Sequence, residues 1–286
     1  MVFAPIAGRL KNVGRYLPLA YSPLNWFSFA LLGAAQGRLS FLFRDEFSQL
    51  VVRPARLGGL RLALNPSDWT HIAIFDEIFL AKSYDLDLVP FTPDQIFDCG
   101  GHIGMFSLLG RSRYPKARLI IFEPNLRNLE WIRRQAQLNA MNIEVEQAAV
   151  SVHDGEATFL DRNSFAGHLL DNATAQRVWR PSNPLEEVRG APRGRYTVRV
   201  VDLPAVLSQR RPERLLLKLD VEGEETCIIP ALFDVMPRES AVFFEIHQGE
   251  SGWDWAKQQF TDHGFAVERR RSILPLGCVE GFALRL

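Results

Sequence analysis

The pattern of apolar and polar positions predicts a chain in which short buried strands alternate with amphipathic helices. Its clearest unit begins at the apolar pair Ile96-Phe97, continues through an acid and three glycines within five positions, and resumes a helix-like apolar pattern at Met105. This order predicts a strand, a tight glycine turn and a helix. Because glycine lacks a side chain, such a turn lets a ligand lie against bare backbone, and the helix start offers unpaired N–H groups.

Further elements follow the same two periodicities. Helical spacing predicts helices over residues 69–81, 126–139 and 252–263, the first with Ser67-Asp68 as its N-cap. Apolar runs predict strands over residues 60–64, 118–122, 143–150, 215–219, 241–246, 265–270 and 281–286. Residues 152–160 predict a hairpin that turns at Asp154-Gly155. The alternation of strands and helices indicates an α/β fold with a mostly parallel sheet.

The first sixty residues differ from the rest. Residues 1–61 carry eight arginines or lysines against two acids, and residues 16–37 are uncharged. Prolines and polar residues make this span a poor transmembrane helix, and its charged start is too long for a secretory signal. Residues 24–43 instead predict a helix with a broad apolar face that packs on the core or at a dimer contact. Attachment to a membrane surface is the alternative.

These differences divide the chain into a basic, helical extension over residues 1–56 and a main domain over residues 57–286. An irregular segment, residues 161–195, interrupts the main domain, and its length predicts a lid or a substrate-binding insertion. Its arginines either meet an anionic substrate or form a solvated surface; they are Arg162, Arg177, Arg180, Arg189, Arg193 and Arg195.

Composition adds limits on the compartment and the partners. The chain has 286 residues, 47% hydrophobic and 23% charged, and can bury one large core. Its three cysteines are far apart and form no metal-ligand pattern, which predicts a reducing compartment, the cytoplasm by default, and no zinc site. The formal net charge is zero, so the overall charge gives no indication of a nucleic-acid partner.

The glycine turn and a second acid together indicate a nucleoside-containing cofactor. Glu123-Pro124 follows an apolar run and lies nineteen residues after Gly104, close to the spacing at which such folds hold a ribose. The dinucleotide pattern Gly-x-Gly-x-x-Gly fails in both registers. Asp98, directly before the glycines, favours the cationic S-adenosylmethionine over a pyrophosphate. The plainer interpretation is that Asp98 caps the turn and Glu123 is a solvated surface acid.

A second set of polar residues lies where predicted strands end. If residues 215–225 stay extended, Lys218, Asp220 and Glu222 share one face. Glu245 and His247 end the next buried strand, although a structural hydrogen bond is the plainer role for either one alone. Ligands of open α/β sheets gather at the carboxyl ends of strands. Five side chains are therefore expected at one edge: Asp98, Glu123, Asp220, Glu245 and His247.

Four motifs, in order and spacing, resemble the FkbM-type S-adenosylmethionine-dependent methyltransferases over residues 57–250. They are residues 98–104, Phe122-Glu123-Pro124, Ala149-Val150-Ser151 with a following Gly155, and residues 218–225. The resemblance implies a Rossmann-like, seven-stranded sheet with helices on both faces. It also implies methylation of a hydroxyl on a sugar, a polysaccharide or a polyketide-type product. Gly101 and His102 depart from the Ala-Asn of the family pattern.

The resemblance also implies roles for single residues. Glu123 would bind the ribose hydroxyls, and other cofactor contacts would come from Asp98, Gly100, Gly101, His102, Gly104, Pro124, Asn125, Ala149 and Val150, with Ser67 and Asp68 as a further pair. An alcohol acceptor also needs a base. The candidates are Asp220, Glu222, Glu245 and His247, of which His247 has the most useful unperturbed pKa. No metal is expected, with Asp220, Glu245 and His247 as the alternative ligand set.

Two other function classes stay open. A nicotinamide-dependent oxidoreductase would share the fold, and titration with S-adenosylhomocysteine against NAD separates the two. A membrane-surface or scaffold protein would keep the fold without turnover. As a methyltransferase, the chain is expected to act on a small-molecule or glycan hydroxyl in the cytoplasm. A homo-oligomer and weak membrane-surface association through residues 1–50 stay open beside this expectation.

Overall fold

The computed structural model describes residues 15–36, 40–43, 45, 48–161, 168–169, 194–270 and 278–286. The strands within these residues are β1 (Leu50–Val52), β2 (Leu62–Leu64), β3 (Gln95–Cys99), β4 (Arg118–Phe122), β5 (Glu144–Glu146), β6 (Ala148–Ser151), β7 (Gly155–Asp161), β8 (His168–Leu169), β9 (Gly194–Asp202), β10 (Arg214–Leu219), β11 (Glu239–Ile246), β12 (Ala266–Arg269) and β13 (Val279–Arg285). The α-helices are α1 (Trp26–Ala35), α2 (Trp69–Phe75), α3 (Met105–Arg113), α4 (Leu126–Leu138), α5 (Leu203–Arg210), α6 (Glu225–Leu232) and α7 (Gly249–Asp262).

A seven-stranded sheet organises the molecule, in the order β12-β13-β11-β10-β3-β4-β5. β10 lies parallel to both β3 and β11, and β13 runs antiparallel between β11 and β12. The chain moves outward from β3 to β5 and then returns to place β10 on the other side of β3. Strand order therefore reverses between β3 and β10, which is where open α/β sheets bind ligands. The predicted Rossmann-like sheet of seven mostly parallel strands is confirmed.

Both faces of this sheet are buried, which explains the uninterrupted apolar runs in its strands. In β10, Leu216 packs into one core cluster with Ile96 and Phe243, while Leu215 and Leu217 pack into the cluster on the opposite face. Residues of α1 to α4 complete the first cluster, and residues of α5 to α7 complete the second. Successive side chains of each strand thus alternate between two layers of helices.

A second sheet corrects the prediction for residues 143–160. The predicted single strand is divided, because β5 joins the seven-stranded sheet whereas β6 pairs with β9 in a four-stranded sheet of order β6-β9-β7-β8. The hairpin at Asp154-Gly155 is wrong, because β9 lies between β6 and β7 and pairs with both. β9 starts at Gly194 and includes Arg195. The rest of the predicted lid, including five of its six arginines, lies outside the described residues apart from Asp161 and residues 168–169.

α2 begins as predicted and then changes geometry. The Asp68 carboxylate accepts the N–H of Thr70, which confirms the N-cap. The helix predicted over residues 69–81 continues as a π-helix, Asp76–Ala81, and ends where Lys82 adopts a φ of +57°. Such wider turns are rare and frequent at functional sites. The other predicted helices and strands of the main domain are confirmed within three residues of their predicted ends.

The N-terminal segment packs against the main domain. α1 covers the middle of the helix predicted over residues 24–43, and a separate 3₁₀ turn, Ser40–Phe43, follows it. Phe29, Leu32 and Ala35 are fully buried and belong to the same core cluster as Ile96 of β3. This confirms the interpretation of a helix packed on the core.

The outer side of this segment is apolar and exposed. Leu24 and Phe27 are 93% and 80% exposed, and Tyr21 and Trp26 are each 52% exposed. We call these four residues the N-terminal apolar patch. No helix in the described part of the chain is long and apolar enough to cross a membrane.

The burial of α1 leads to a prediction about stability. Phe29→Ala should lower the free energy of unfolding by about 3–5 kcal/mol, because it empties a fully buried aromatic site in the shared core. Phe27→Ala, two residues away on the exposed side, should change it by less than about 0.5 kcal/mol. Urea denaturation of both variants measures the difference. Equal effects would mean that α1 is not part of the core.

Candidate active site

A cleft opens where the carboxyl ends of β3, β4, β10 and β11 meet. The empty space within it, open solvent at its mouth included, is about 990 Å³. Eight of the predicted cofactor contacts line it: Gly100, Gly101, His102, Glu123, Pro124, Asn125, Ala149 and Val150. Three of the four predicted bases also line it: Asp220, Glu222 and Glu245. Of the five side chains expected at this edge, Glu123, Asp220 and Glu245 line the cleft, whereas Asp98 and His247 do not.

The glycine turn acts by close approach of backbone to backbone. Gly100 has a φ of +82°, and a Cβ there would lie 1.8 Å from the carbonyl oxygen of Asp220. The N–H groups of Gly100 and Gly101 both donate to the carbonyl of Phe122 at 3.0 Å. These two N–H groups are therefore engaged within the protein. What the glycines provide is the absence of side chains between β3, β10 and the cleft.

Lys218 ties this turn to β10. Its Nζ donates to the carbonyl of Gly100 at 2.7 Å and lies 3.1 Å from Oδ2 of Asp220 and 3.8 Å from Oδ1 of Asp98. Burial alone would lower the pKa of Lys218, but the carboxylates of Asp220 and Asp98 outweigh it and raise the pKa above its usual value. The ammonium therefore stays charged while it is only 3% exposed.

Glu123 is a buried, oriented carboxyl group. Its Oε2 accepts the N–H of His102 at 2.7 Å, and its Oε1 accepts the N–H of Asn125 at 2.8 Å and Nδ2 of Asn128 at 3.2 Å. Burial raises the pKa of Glu123 to about 7, against the opposing effect of these donors. Glu123 is 5% exposed and lines the cleft, so the alternative of a solvated surface acid is wrong.

Asp98 does not line the cleft, which corrects the expectation that it faces the cofactor. It is fully buried behind the glycine turn, where its Oδ2 accepts the hydroxyl of Ser107 in α3 at 2.5 Å. Burial raises the pKa of Asp98, and Lys218 opposes that effect. The aspartate thus joins β3 to α3 and to Lys218, and its influence on a ligand passes through them.

Three other predicted cofactor residues also lie outside the lining of the cleft. Gly104, with a φ of +81°, is the N-cap of α3. Asp68 caps α2 and lies 3.9 Å from Nε2 of His71, and the N–H of Ser67 donates to the side chain of Asn65. These residues cap helices and fix loops next to the residues that line the cleft.

His102, one of the two departures from the family pattern, is partly buried and lines the cleft. It adopts a φ of +47°, and its ring meets that of His71 edge to face at 6.0 Å between centroids. Burial, with a smaller effect of His71, lowers the pKa of His102 to about 3, so the imidazole is neutral at physiological pH. The residue adds no positive charge to the cleft.

The segment after β10 turns sharply, which corrects the prediction of one extended face over residues 218–222. Glu222 and Gly223 have φ values of +56° and +117°. The carboxylate of Glu225 accepts the N–H groups of Val221 at 2.9 Å and of Gly223 at 3.0 Å and so holds the turn. Glu224, the next residue back, accepts the hydroxyl of Ser151 at 2.7 Å, which connects this motif to β6.

His247 is surrounded by carboxylates behind the cleft. Its Nδ1 lies 3.1 Å from Glu225, and its Nε2 lies 3.4 Å from Glu222 and 3.7 Å from Glu245. Burial would lower the pKa of His247, but Glu222 and Glu225 raise it well above its usual value. The prediction of a useful unperturbed pKa is therefore wrong, since an imidazolium ion has no proton-accepting nitrogen. His247 also lies outside the residues that line the cleft.

One group of possible metal ligands occurs in the described part of the chain. Asp220, Glu225 and His247 place one ligand atom each within 4.8 Å of one another, whereas the alternative predicted from sequence had Glu245 in place of Glu225. Asp220 is already paired with Lys218, and Glu225 already binds two backbone N–H groups. A protonated His247 cannot coordinate a metal. The donor set therefore fits a hydrogen-bonded network better than a metal centre.

Glu245, unlike His247, is a predicted base that lines the cleft. It lines the cleft as the second-last residue of β11, and the thiol of Cys278 donates a hydrogen bond to it. Burial, followed by the charge of Asp220, raises the pKa of Glu245 to about 8, while His247 opposes the shift. A carboxyl group with this pKa can exchange a proton near neutral pH.

Sequence reasoning missed Glu77, which also lines the cleft. It lies in the π-helix and is 3% exposed. Its position was available as a signal, because Glu77 follows Ile74 by three residues and so shares the apolar face of the predicted helix. An acid on such a face is buried at a cost unless it has a specific partner.

The chain is similar in sequence to known methyltransferases. A family model described as "Methyltransferase FkbM domain" matches residues 98–268. The AMB antimetabolite synthetase AmbE of Pseudomonas aeruginosa is 30% identical over 255 residues, which are 77% of this chain but 11% of that protein. The 31-O-demethyl-FK506 methyltransferase FkbM of Streptomyces tacrolimicus is 27% identical over 229 residues, 71% of this chain and 85% of that protein. A solved FkbM methyltransferase from Methylobacillus flagellatus aligns with a TM-score of 0.45 at 12% identity, over 98% of this chain and 60% of that one.

The matched region contains the glycine turn, Glu123 and the whole segment from Lys218 to Glu225. It covers more than half of the chain, which confirms the resemblance seen in the four motifs and leaves the oxidoreductase alternative without support. The chain therefore belongs to the FkbM methyltransferase family and is a methyltransferase with a Rossmann-like fold.

Proposed function

We propose that the protein uses S-adenosylmethionine to methylate a hydroxyl group of a sugar, a polysaccharide or a polyketide-type molecule. The observation that carries the proposal is the arrangement of two cleft-lining glutamates. Glu123 at the end of β4 is oriented by three donors, and Glu245 at the end of β11 has a pKa of about 8. An oxygen acceptor is supported by the similarity to the Streptomyces relative, a 31-O-demethyl-FK506 methyltransferase.

The lining of the cleft fits the nucleoside part of this cofactor. A carboxylate has about four acceptor positions, and three donors occupy those of Glu123, so one position remains for a ribose hydroxyl. Ala149, Val150, Phe159 and Leu169 form an apolar wall suited to an adenine ring. When bound, S-adenosylmethionine supplies a methyl group already activated by a sulfonium. The protein then has to orient the acceptor and take its proton.

Glu245 is the base that the electrostatics favour. His247 is held as a cation, Asp220 is paired with the buried Lys218, and Glu222 lies 3.4 Å from the His247 imidazolium. Glu245 lines the cleft and its pKa is raised, so its ionised form accepts a proton more readily than an ordinary glutamate does. In this assignment Glu245 takes the hydroxyl proton. Lys218 and Asp220 hold the end of β10 next to the glycine turn after β3.

The role of Glu123 gives the first functional prediction. Glu123→Gln keeps one acceptor oxygen for the backbone donors but removes the negative charge, so the affinity for S-adenosylhomocysteine should fall by about 2 kcal/mol. Glu130→Gln, a half-exposed control on α4, should leave the affinity unchanged. Isothermal titration calorimetry compares the three proteins. Unchanged affinity in a folded Glu123→Gln variant would refute the assignment.

The role of Glu245 gives a prediction about pH. Glu245 is protonated below about pH 8 and becomes a base above it, so methyl transfer should rise with pH through about 8 and then level off. Glu245→Gln should lose about 10²–10⁴-fold in rate above pH 8, lose less below it, and retain its affinity for S-adenosylhomocysteine. A mass-shift screen over hydroxylated glycans and polyketides identifies the acceptor, and the rates are then measured on it. Normal turnover by the variant would exclude Glu245 as the base.

A second proposal concerns the N-terminal apolar patch, which we infer to contact an anionic membrane surface. Three basic residues precede the patch in the sequence, Arg9, Lys11 and Arg15. Exposed aromatic residues combined with basic ones favour interfacial binding to anionic lipid. Residence in the cytoplasm and self-association stay predictions.

The patch is tested by single substitutions, because removal of residues 1–50 would also remove the buried Phe29 and Leu32. Phe27→Ser should lower sedimentation with phosphatidylserine vesicles about tenfold, since a buried phenylalanine contributes about 1.5–3 kcal/mol. Val152→Ser, an exposed apolar control outside the patch, should bind like the unmodified protein. Equal binding by all three proteins, or none by any, would contradict the proposal.

A further inference from the structure

Glu77 is buried in the wall of the cleft without a full set of partners. It is 3% exposed, and no described residue forms a hydrogen bond with its Oε1. A buried carboxyl oxygen in this state costs free energy unless a ligand supplies a donor. Its place on a π-helix, among the cleft-lining Ile74 and Ile78, gives it a fixed direction into the space above the sheet.

The carboxyl groups that act most strongly on Glu77 come from the side of the cleft formed by β10, β11 and β13. Burial raises its pKa well above the usual value, and the next largest effects come from Glu280 on β13, Glu245 on β11 and Asp220 after β10. β4, which ends at Glu123, lies on the other side of β3 in the sheet. Glu77 therefore belongs to the half of the cleft formed by β10, β11 and β13, where the proposed base also lies.

Carboxyl groups outnumber cationic groups in this half. The cations there are Lys218 and His247, and both are already bound. Lys218 contacts Gly100, Asp220 and Asp98, and His247 is closest to Glu225 at 3.1 Å. Glu77 and Glu245 both line the cleft, and Glu245 lies 3.7 Å from His247. An incoming cation would stabilise the ionised form of both carboxyl groups, whereas an incoming anion would destabilise it.

We propose that Glu77 and Glu245 form an acceptor subsite that binds a protonated amine carried next to the hydroxyl to be methylated. The amine donates to the unpartnered oxygen of Glu77, which leaves Glu245 to take the hydroxyl proton. Glu77 is a specificity-determining residue in this scheme and takes no part in the proton transfer. The inference rests on the proposed O-methyl transfer for its chemistry, but the charge preference of the cleft can be measured without turnover.

Three small molecules of matched shape and different charge serve as probes: 2-aminocyclohexanol, cyclohexane-1,2-diol and 2-hydroxycyclohexanecarboxylate. At neutral pH the first is a cation, because an alkyl amine titrates near 10. Ligand-observed NMR measures each dissociation constant, with and without S-adenosylhomocysteine. The amine should bind the unmodified protein about tenfold or more tightly than the diol, as expected for a hydrogen bond to a buried charge. The carboxylate should not bind in the millimolar range.

Glu77→Gln should abolish the preference for the amine and leave the affinity for S-adenosylhomocysteine unchanged. Glu130→Gln is the matched control and should keep the preference, because Glu130 is half exposed and pairs with Arg133 outside the cleft. Thermal unfolding shows whether each variant is folded, and the comparison of the three probes on the unmodified protein needs no variant.

Each result has a defined meaning. Equal binding of amine and diol, or no binding of the amine at millimolar concentration, would overturn the subsite. A weaker affinity of Glu77→Gln for S-adenosylhomocysteine would also overturn it, because Glu77 would then hold the cofactor. If the unmodified protein fails to bind S-adenosylhomocysteine, the proposed function fails, and the preference measured without cofactor still decides the subsite.

Discussion

The buried ammonium group of Lys218 is the interaction on which the cleft depends. It joins the carbonyl of Gly100 after β3 to the carboxylate of Asp220 after β10, across the point where strand order reverses. The same nitrogen lies 3.8 Å from Asp98, which in turn binds Ser107 of α3. A buried charge of this kind is stable only while all its partners are in place. The three elements that form the floor of the cleft are therefore fixed relative to one another.

The glutamate carboxyl groups around Lys218 differ in their hydrogen-bond partners and in their pKa values. Glu225 is bound by backbone N–H groups and by His247, and so it serves the turn after β10. Glu123 is bound by three donors at one end of the cleft, whereas Glu245 receives the Cys278 thiol in a more negative setting at the other end. Their pKa values of about 7 and about 8 follow from burial opposed by different numbers of donors. In the proposed mechanism, position in the sheet thus separates cofactor binding by Glu123 from proton transfer by Glu245.

The sequence predicted the main sheet because its signals are local. The apolar runs of residues 118–122 and 215–219 record burial on both faces, and the glycines record a turn that a Cβ would obstruct. The second sheet escaped prediction because the pairing of β9 between β6 and β7 depends on residues far apart in sequence. The state of His247 escaped for the same reason, since Glu222 and Glu225 reach it only through the turn after β10. Glu77 could have been predicted from its place on the apolar face of the helix expected over residues 69–81, but the π-helix that contains it could not.

The raised pKa values impose a relation between stability and activity. Glu123 and Glu245 would titrate near 4.5 in the unfolded chain and titrate at about 7 and about 8 in the folded protein, so the folded state binds more protons between these limits. Stability from this source is present below pH 4.5 and is lost as the pH rises through 7 and 8. His247, whose folded pKa is also raised, contributes in the same direction. The proposed proton transfer needs an ionised Glu245. This form of the side chain is the one that lowers the stability of the fold. A cationic group in the cleft would relieve this conflict, because it stabilises the same ionised carboxylates that burial disfavours.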